Sequence, residues 1–175
     1  VDDLSLHILD VAENSIEAGA RNIEIGIAED LKADRLTIEI RDDGRGMDEA
    51  TLKRVLDPFY TTRKVRRVGL GLSFLQHAAQ LAQGNLSIQS QVGQGTTVRA
   101  TFQHSHIDRK PLGDMAKTLI TLVIGHPEIR FRYAHQKNGQ KGEIDTRDLE
   151  KAGELSSLST IELMNLIKRH FPAIT

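Results

Sequence analysis

Asp42-Asp43-Gly44-Arg45-Gly46-Met47 follows an alternating strand pattern, and Gly69-Leu70-Gly71-Leu72 answers it where a helical pattern opens. Glycine carries no Cβ, so at Gly44, Gly46, Gly69 and Gly71 the backbone can turn sharply and bring its amides close to a ligand. At a helix start, Gly69 and Gly71 would add the positive end of the helix dipole, which favours phosphate. Asp42 closes the strand and would present a carboxylate to whatever enters. Either glycine pair alone reads equally well as a turn. Both, in this order, point to a nucleotide pocket.

The elements that must hold these groups are legible from periodicity. Leu4, Ile8, Leu9, Ala12 and Ile16 recur at helical spacing over 4–18, with Gly19 as the stop. On the other side of that helix His7, Asp10, Asn14 and Glu17 stack three and four apart along a polar face. Ile23, Ile25 and Ile27, then Leu36, Ile38 and Ile40, alternate with polar residues and predict a hairpin of two half-buried strands. A helix at about 48–56 follows, then an irregular stretch over 57–68 with Arg63, Lys64, Arg66 and Arg67, and a helix over 70–83. Two strands near 85–91 and 96–102 flank a Gly93-Gln94-Gly95 turn. This order predicts an α+β, two-layer α/β sandwich with helices on one face of a mixed, mostly antiparallel sheet. After His104 come a connector, a helix over 112–124, a strand over 129–136 turning at Asn138-Gly139 into another, and a terminal helix from about Thr160 to His170. The expected division is 1–104 for the nucleotide unit and 105–175 for a small α/β extension without assigned chemistry, for which partner docking is the default expectation.

Composition narrows the function classes. Hydrophobic residues are 39% and charged residues 27% of the 175-residue chain, a globular balance. Lys+Arg 23 against Asp+Glu 24 gives no overall bias toward nucleic acid or anionic membranes. The chain has no cysteine, which excludes disulfides and thiolate metal sites and fits a reducing, cytoplasmic setting. The apolar stretches are too short to cross a bilayer, and no secretory signal is visible. A first residue of Val1 leaves room for an upstream segment. His104, His106, His126 and His135 are too scattered in sequence to predict a metal site.

Residues 4–103 resemble the Bergerat-fold ATPases, the superfamily of gyrase, histidine kinases and MutL. The resemblance rests on ordered blocks: Leu9 to Ala20, Asp42 to Met47, Asp57-Pro58-Phe59-Tyr60-Thr61-Thr62-Arg63, Gly69 to Leu72, and Gly93-Gln94-Gly95-Thr96-Thr97. It implies ATP and Mg²⁺ as ligands. Asn14 would coordinate the magnesium through its amide oxygen, a suitable hard donor. Asp42 would accept from the adenine amino group, with Thr96 supporting that contact. The amides of Gly69 to Leu72 would cradle phosphate, and the stretch from Phe59 to Val68 would close over ATP, with one of Arg63, Lys64, Arg66 or Arg67 reaching the γ-phosphate.

Asp10 stands four residues before Asn14, where the gyrase and MutL branches carry a glutamate as general base. One helical turn puts it on the metal's side, either as a base working through a water or as a group orienting the metal shell. Glu13 is less well aimed, about 100° round the helix. The Asp57 to Arg63 block and the Gly-Leu-Gly-Leu helix look most like the catalytic domain of sensor histidine kinases, which implies γ-phosphate transfer to a histidine on a separate or missing phosphoacceptor. Glu13 to Ala20, and the stretch from His126 to Phe131 with its hairpin, look closer to MutL. That alternative implies slow hydrolysis driving a conformational or dimerisation switch, with a homodimer as partner.

Overall fold

The computed structural model describes residues 3–57, 66–151 and 158–170, without the side chains of 66–70 and 170. Helix α1 (Leu4–Glu17) starts at Asp3, whose carboxylate accepts from the Leu6 amide at 3.2 Å, and ends before Gly19 at φ +78°. Strands β1 (Asn22–Asp30) and β2 (Arg35–Asp42) form the expected hairpin in register Ile23 to Asp42 through Asp30 to Arg35. Helix α2 (Glu49–Val55) is capped by Asp48, which accepts from the Thr51 amide at 2.7 Å. Helix α3 (Arg66–Leu81) leads to strands β3 (Asn85–Gln91) and β4 (Gly95–Gln103).

Helix α3 begins earlier than the periodicity indicates. Arg66 and Arg67 belong to its first turn and not to a loop, and Gly69 and Gly71 lie inside the helix. Only the cap and the first three residues of a helix have amides without an intrahelical partner, so Gly69, the fourth residue of α3, and Gly71 both lie past the free donors. Phe59, Arg63 and Lys64 lie outside the described residues.

Beyond β4 the chain continues through α4 (Met115–Gly125), β5 (Arg130–Lys137), β6 (Gln140–Asp145), α5 (Thr146–Lys151) and α6 (Thr160–His170). The short helix α5 lies between the β5–β6 hairpin and the terminal helix, where the sequence indicates no element. Asn138 (φ +51°) and Gly139 (φ +77°) make the two-residue turn between β5 and β6. Strand β5 lies parallel to β1, from Asn22 opposite Arg130 to Glu29 opposite Lys137, and the other pairs are antiparallel. One six-stranded sheet results, in the order β3-β4-β2-β1-β5-β6, with the helices on one side. The extension therefore supplies strands to the same sheet as the nucleotide unit.

The helix-covered face carries Ile23, Ile25, Ile27, Ile38, Ile40, Val98, Phe102, Phe131 and Tyr133, all buried. Leu4, Ile8, Val11 and Ala12 pack onto it from α1, whereas Leu9 and Ile16, expected in the apolar stripe, are only partly covered. His7, expected on the polar face, is buried, with its ring centroid 6.0 Å from that of Phe74 on α3. The physical reason is that α1 is flanked by both α3 and α4. A helix covered on three sides buries a wider arc than the stripe facing its sheet.

Candidate nucleotide site

Asn14, Asp42, Gly46, Met47, Leu72 and Thr96, from four separate stretches of sequence, line one cavity of about 360 Å³. Its remaining wall is divided between apolar residues, Val11, Ala18, Val55, Val92 and Val98, and polar ones, Ser15, Glu17, Arg45, Asp48 and Thr51. The antiparallel register β2–β4 sets Thr96 beside Asp42, which explains how residues so far apart share a wall. Asp10, Gly44 and Gly71 are outside this lining among the described residues.

Asp42 is held in the cavity wall by two donors. Ser15 donates its hydroxyl to Oδ2 at 2.6 Å, and the Gly44 amide donates to Oδ1 at 2.9 Å. Each carboxylate oxygen can accept from two donors, so capacity is left for a ligand. The neighbouring Asp43 is turned away. It accepts from the backbone amides of Arg21 and Asn22, both at 2.9 Å, and from the Asn22 side-chain amide at 2.7 Å. Partial burial works against its ionisation, but these donors outweigh it and hold its carboxyl below the ordinary value. Two adjacent aspartates thus serve different places, Asp42 the cavity wall and Asp43 the start of β1.

The glycines serve close approach of the chain to itself. A Cβ on Gly46, at φ +70°, would lie 2.0 Å from the Gln91 carbonyl oxygen, and one on Gly44 would lie 2.9 Å from that of Ala18. A Cβ on Gly71 would lie 2.7 Å from the Asp10 Cβ, so the absence of a side chain lets α3 run against α1 beside that aspartate. Asp10 is solvent-exposed on its outer side. The atoms crowding its inner side raise its carboxyl above the ordinary value, offset by His7 and reinforced by Glu13.

Two serines escaped the reading of the sequence. Ser15 follows Asn14 in the first block and could have been found from its place one helical turn after Val11. Ser90 carries no motif. It accepts from the Met47 amide at 2.8 Å and sits 2.7 Å from the Thr96 hydroxyl, a position that only the pairing of Ser90 with Thr96 across β3 and β4 creates. Arg45, Asp48 and Thr51 at the rim were likewise not singled out as lining.

The family model for histidine kinase-, DNA gyrase B- and HSP90-like ATPases matches residues 1–106. Sporulation kinase E of Bacillus subtilis is 36% identical over 96 residues, 54% of this chain and 13% of that protein. The tetrathionate sensor histidine kinase TtrS of Salmonella typhimurium is 35% identical over 109 residues, 60% of this chain and 18% of that one. The chain thus spans less than a fifth of the length of these relatives. In fold it is similar to the MutL ATPase domain of Aquifex aeolicus complexed with ADP, with a TM-score of 0.54 and 14% identity over 91% of this chain and 70% of that one. The matched residues contain the whole cavity wall, from Val11 to Val98, and so the chain belongs to the histidine kinase-, DNA gyrase B- and HSP90-like ATPases.

Proposed function

We propose that the chain binds Mg-ATP in this cavity and acts as the catalytic domain of a histidine-kinase-like protein, passing the γ-phosphate to a separate phosphoacceptor. The observation that carries the reading is Asp42, anchored by Ser15 and Gly44 and still able to accept, in a cavity that also offers apolar surface from Val11, Met47, Val55, Leu72 and Val98. Such an acceptor pairs with the amino group of adenine and is left unpaired by the carbonyl of guanine. The same side chains offer that surface to the base. Asn14, on the same wall, offers its amide oxygen to a magnesium ion, which when bound neutralises phosphate charge. The free amides of the first turn of α3, up to Val68, are the phosphate donors in this reading, with Gly69 to Leu72 as the helix behind them. Phe59 and Arg63 belong to the segment proposed to cover ATP.

Asp10 takes the role of base or of shell-orienting group, and its raised carboxyl makes it the stronger base. Radiolabelled ATP with excess candidate phosphoacceptor tests the transfer: label on the partner is expected, and hydrolysis without label on any protein rejects it. In a thermal-shift and ATPase comparison, Asp42→Asn and Asn14→Ala lose stabilisation by Mg-ATP, while Asp10→Asn keeps it and lowers turnover. Stabilisation retained by the Asp42 variant would remove the pocket assignment.

One observation favours a second reading. The likeness to the MutL domain spans 91% of the chain, against the 1–106 of the family model, and so reaches into the extension. Under it, ATP binding drives a dimerisation switch and no phosphoprotein forms. A dimer that appears only with a non-hydrolysable ATP analogue supports this reading, and an oligomeric state indifferent to nucleotide counts against it.

A further inference from the structure

Ser90 lies behind the cavity wall and joins two of its lining residues. Its hydroxyl oxygen accepts from the Met47 amide at 2.8 Å, and it has two neighbours for its single proton: the Thr96 hydroxyl at 2.7 Å and the Gly95 carbonyl at 3.2 Å. Either oxygen of the 2.7 Å pair can donate: the Thr96 proton can go to Ser90, with Ser90 then donating to the Gly95 carbonyl, or the Ser90 proton can go to Thr96. In the second arrangement Thr96 keeps its own proton for a third partner. Thr96 lines the cavity beside Asp42, so that partner is the ligand.

We infer that Ser90 is a positioning residue for base recognition: it turns the Thr96 hydroxyl into a donor, aimed at the unprotonated ring nitrogen next to the amino group of adenine. This deepens the adenine reading proposed above and rests on it. Asp42 as acceptor and Thr96 as donor then form a two-point pattern complementary to adenine. Guanine and hypoxanthine present the reverse pattern, a carbonyl beside a protonated ring nitrogen. Without Ser90 the Thr96 hydroxyl is free to rotate and can accept as readily as donate. The Met47 amide would also lose its acceptor, which loosens the glycine loop on the far side of the base.

The test is calorimetric titration of the full chain with Mg-ATP and with Mg-1-deaza-ATP, in which the ring nitrogen is replaced by CH while the amino group remains. In the unsubstituted chain, 1-deaza-ATP is expected to bind about tenfold more weakly than ATP, the cost of leaving one donor unpaired. Ser90→Ala and Thr96→Val should each shrink that ratio toward one, and Ser90→Thr, which keeps the hydroxyl, should restore it. A purely structural role for Ser90 would weaken both ligands alike and leave the ratio unchanged, which overturns the inference. Equal binding of the two ligands by the unsubstituted chain overturns it without any variant. Failure of the unsubstituted chain to bind ATP at all is a different result, and sinks the nucleotide assignment itself.

Discussion

At the residue scale, the motif glycines are determined by what the chain itself needs. Gly46 combines a left-handed φ of +70° with a carbonyl 2.0 Å from where a Cβ would sit. Gly46→Ala therefore costs roughly 2–5 kcal/mol of stability from backbone strain and overpacking together, read by urea unfolding. Gly71→Ala presses on the Asp10 Cβ at 2.7 Å without any strain of φ. It should cost roughly 1–3 kcal/mol and, because Asp10 is displaced, lower ATP turnover more than ATP affinity. Turnover unaffected by Gly71→Ala would show that the fit of α3 against α1 does not set the position of Asp10.

At the element scale, α1 is gripped by the extension. Its first free amides, Leu4 and Ser5, donate to the carbonyls of Pro111 and Leu112 at 2.9 and 2.8 Å, and Thr118 of α4 donates to the Ser5 carbonyl at 3.3 Å. Further along, the His126 ring lies 3.3 Å from the Glu13 carboxylate. At the opposite end of the sheet from the cavity, Glu29 of β1 fastens the seam. His104, just past β4, meets one oxygen at 2.9 Å, and His135 of β5 meets the other at 2.7 Å, while Tyr133 lies 3.0 Å from the second nitrogen of His135.

Burial holds His135 below its ordinary value against the pull of Glu29. Burial opposes ionisation of Glu29 too, but its two histidine partners prevail and lower it. Both native groups thus bind protons less readily than their unfolded counterparts, so stability rises with pH. The His135 contribution is fully present above the unfolded histidine value near 6.5 and is lost as pH falls through the lower native value. The Glu29 contribution, present above 4.5, is lost at more acid pH still. Denaturant titrations from pH 7.5 to 5 should show declining stability, and His135→Asn should flatten that decline. A stability that rises on acidification over this range would contradict the neutral, buried state of His135.

At the scale of the whole molecule, one core runs through both halves of the chain. Phe102 of β4 and Phe131 of β5 are each about 1% exposed in the same hydrophobic cluster. The parallel pairing of β5 with β1 covers what would otherwise be a sheet edge in the middle of the structure. Phe131→Ala is therefore expected to destabilise by roughly 3–5 kcal/mol, the same cost as expected for Phe102→Ala, and to lower the melting temperature of the nucleotide site with it. Calorimetry should show one transition, shared by the cavity and by β5–β6. Two transitions, with only the later residues shifted by Phe131→Ala, would make the extension an independent unit.

What the sequence determined by itself was the set of local elements and the identity of the chemistry-bearing residues within the blocks: alternating isoleucines make strands, helical spacing makes helices, and Asn-Gly makes a two-residue turn. Those signals depend on near neighbours, and near neighbours are what a sequence displays. Only the tertiary structure decided that α1 buries His7, that β5 runs parallel to β1, and that Gly44, Gly46 and Gly71 face the chain's own atoms. It alone brought Ser90 behind Thr96 and set His104 and His135 on the two oxygens of Glu29. The reason is that register and long-range pairing are chosen by the total burial and hydrogen bonding of the closed sheet, to which residues distant in the chain contribute together and which no single stretch encodes.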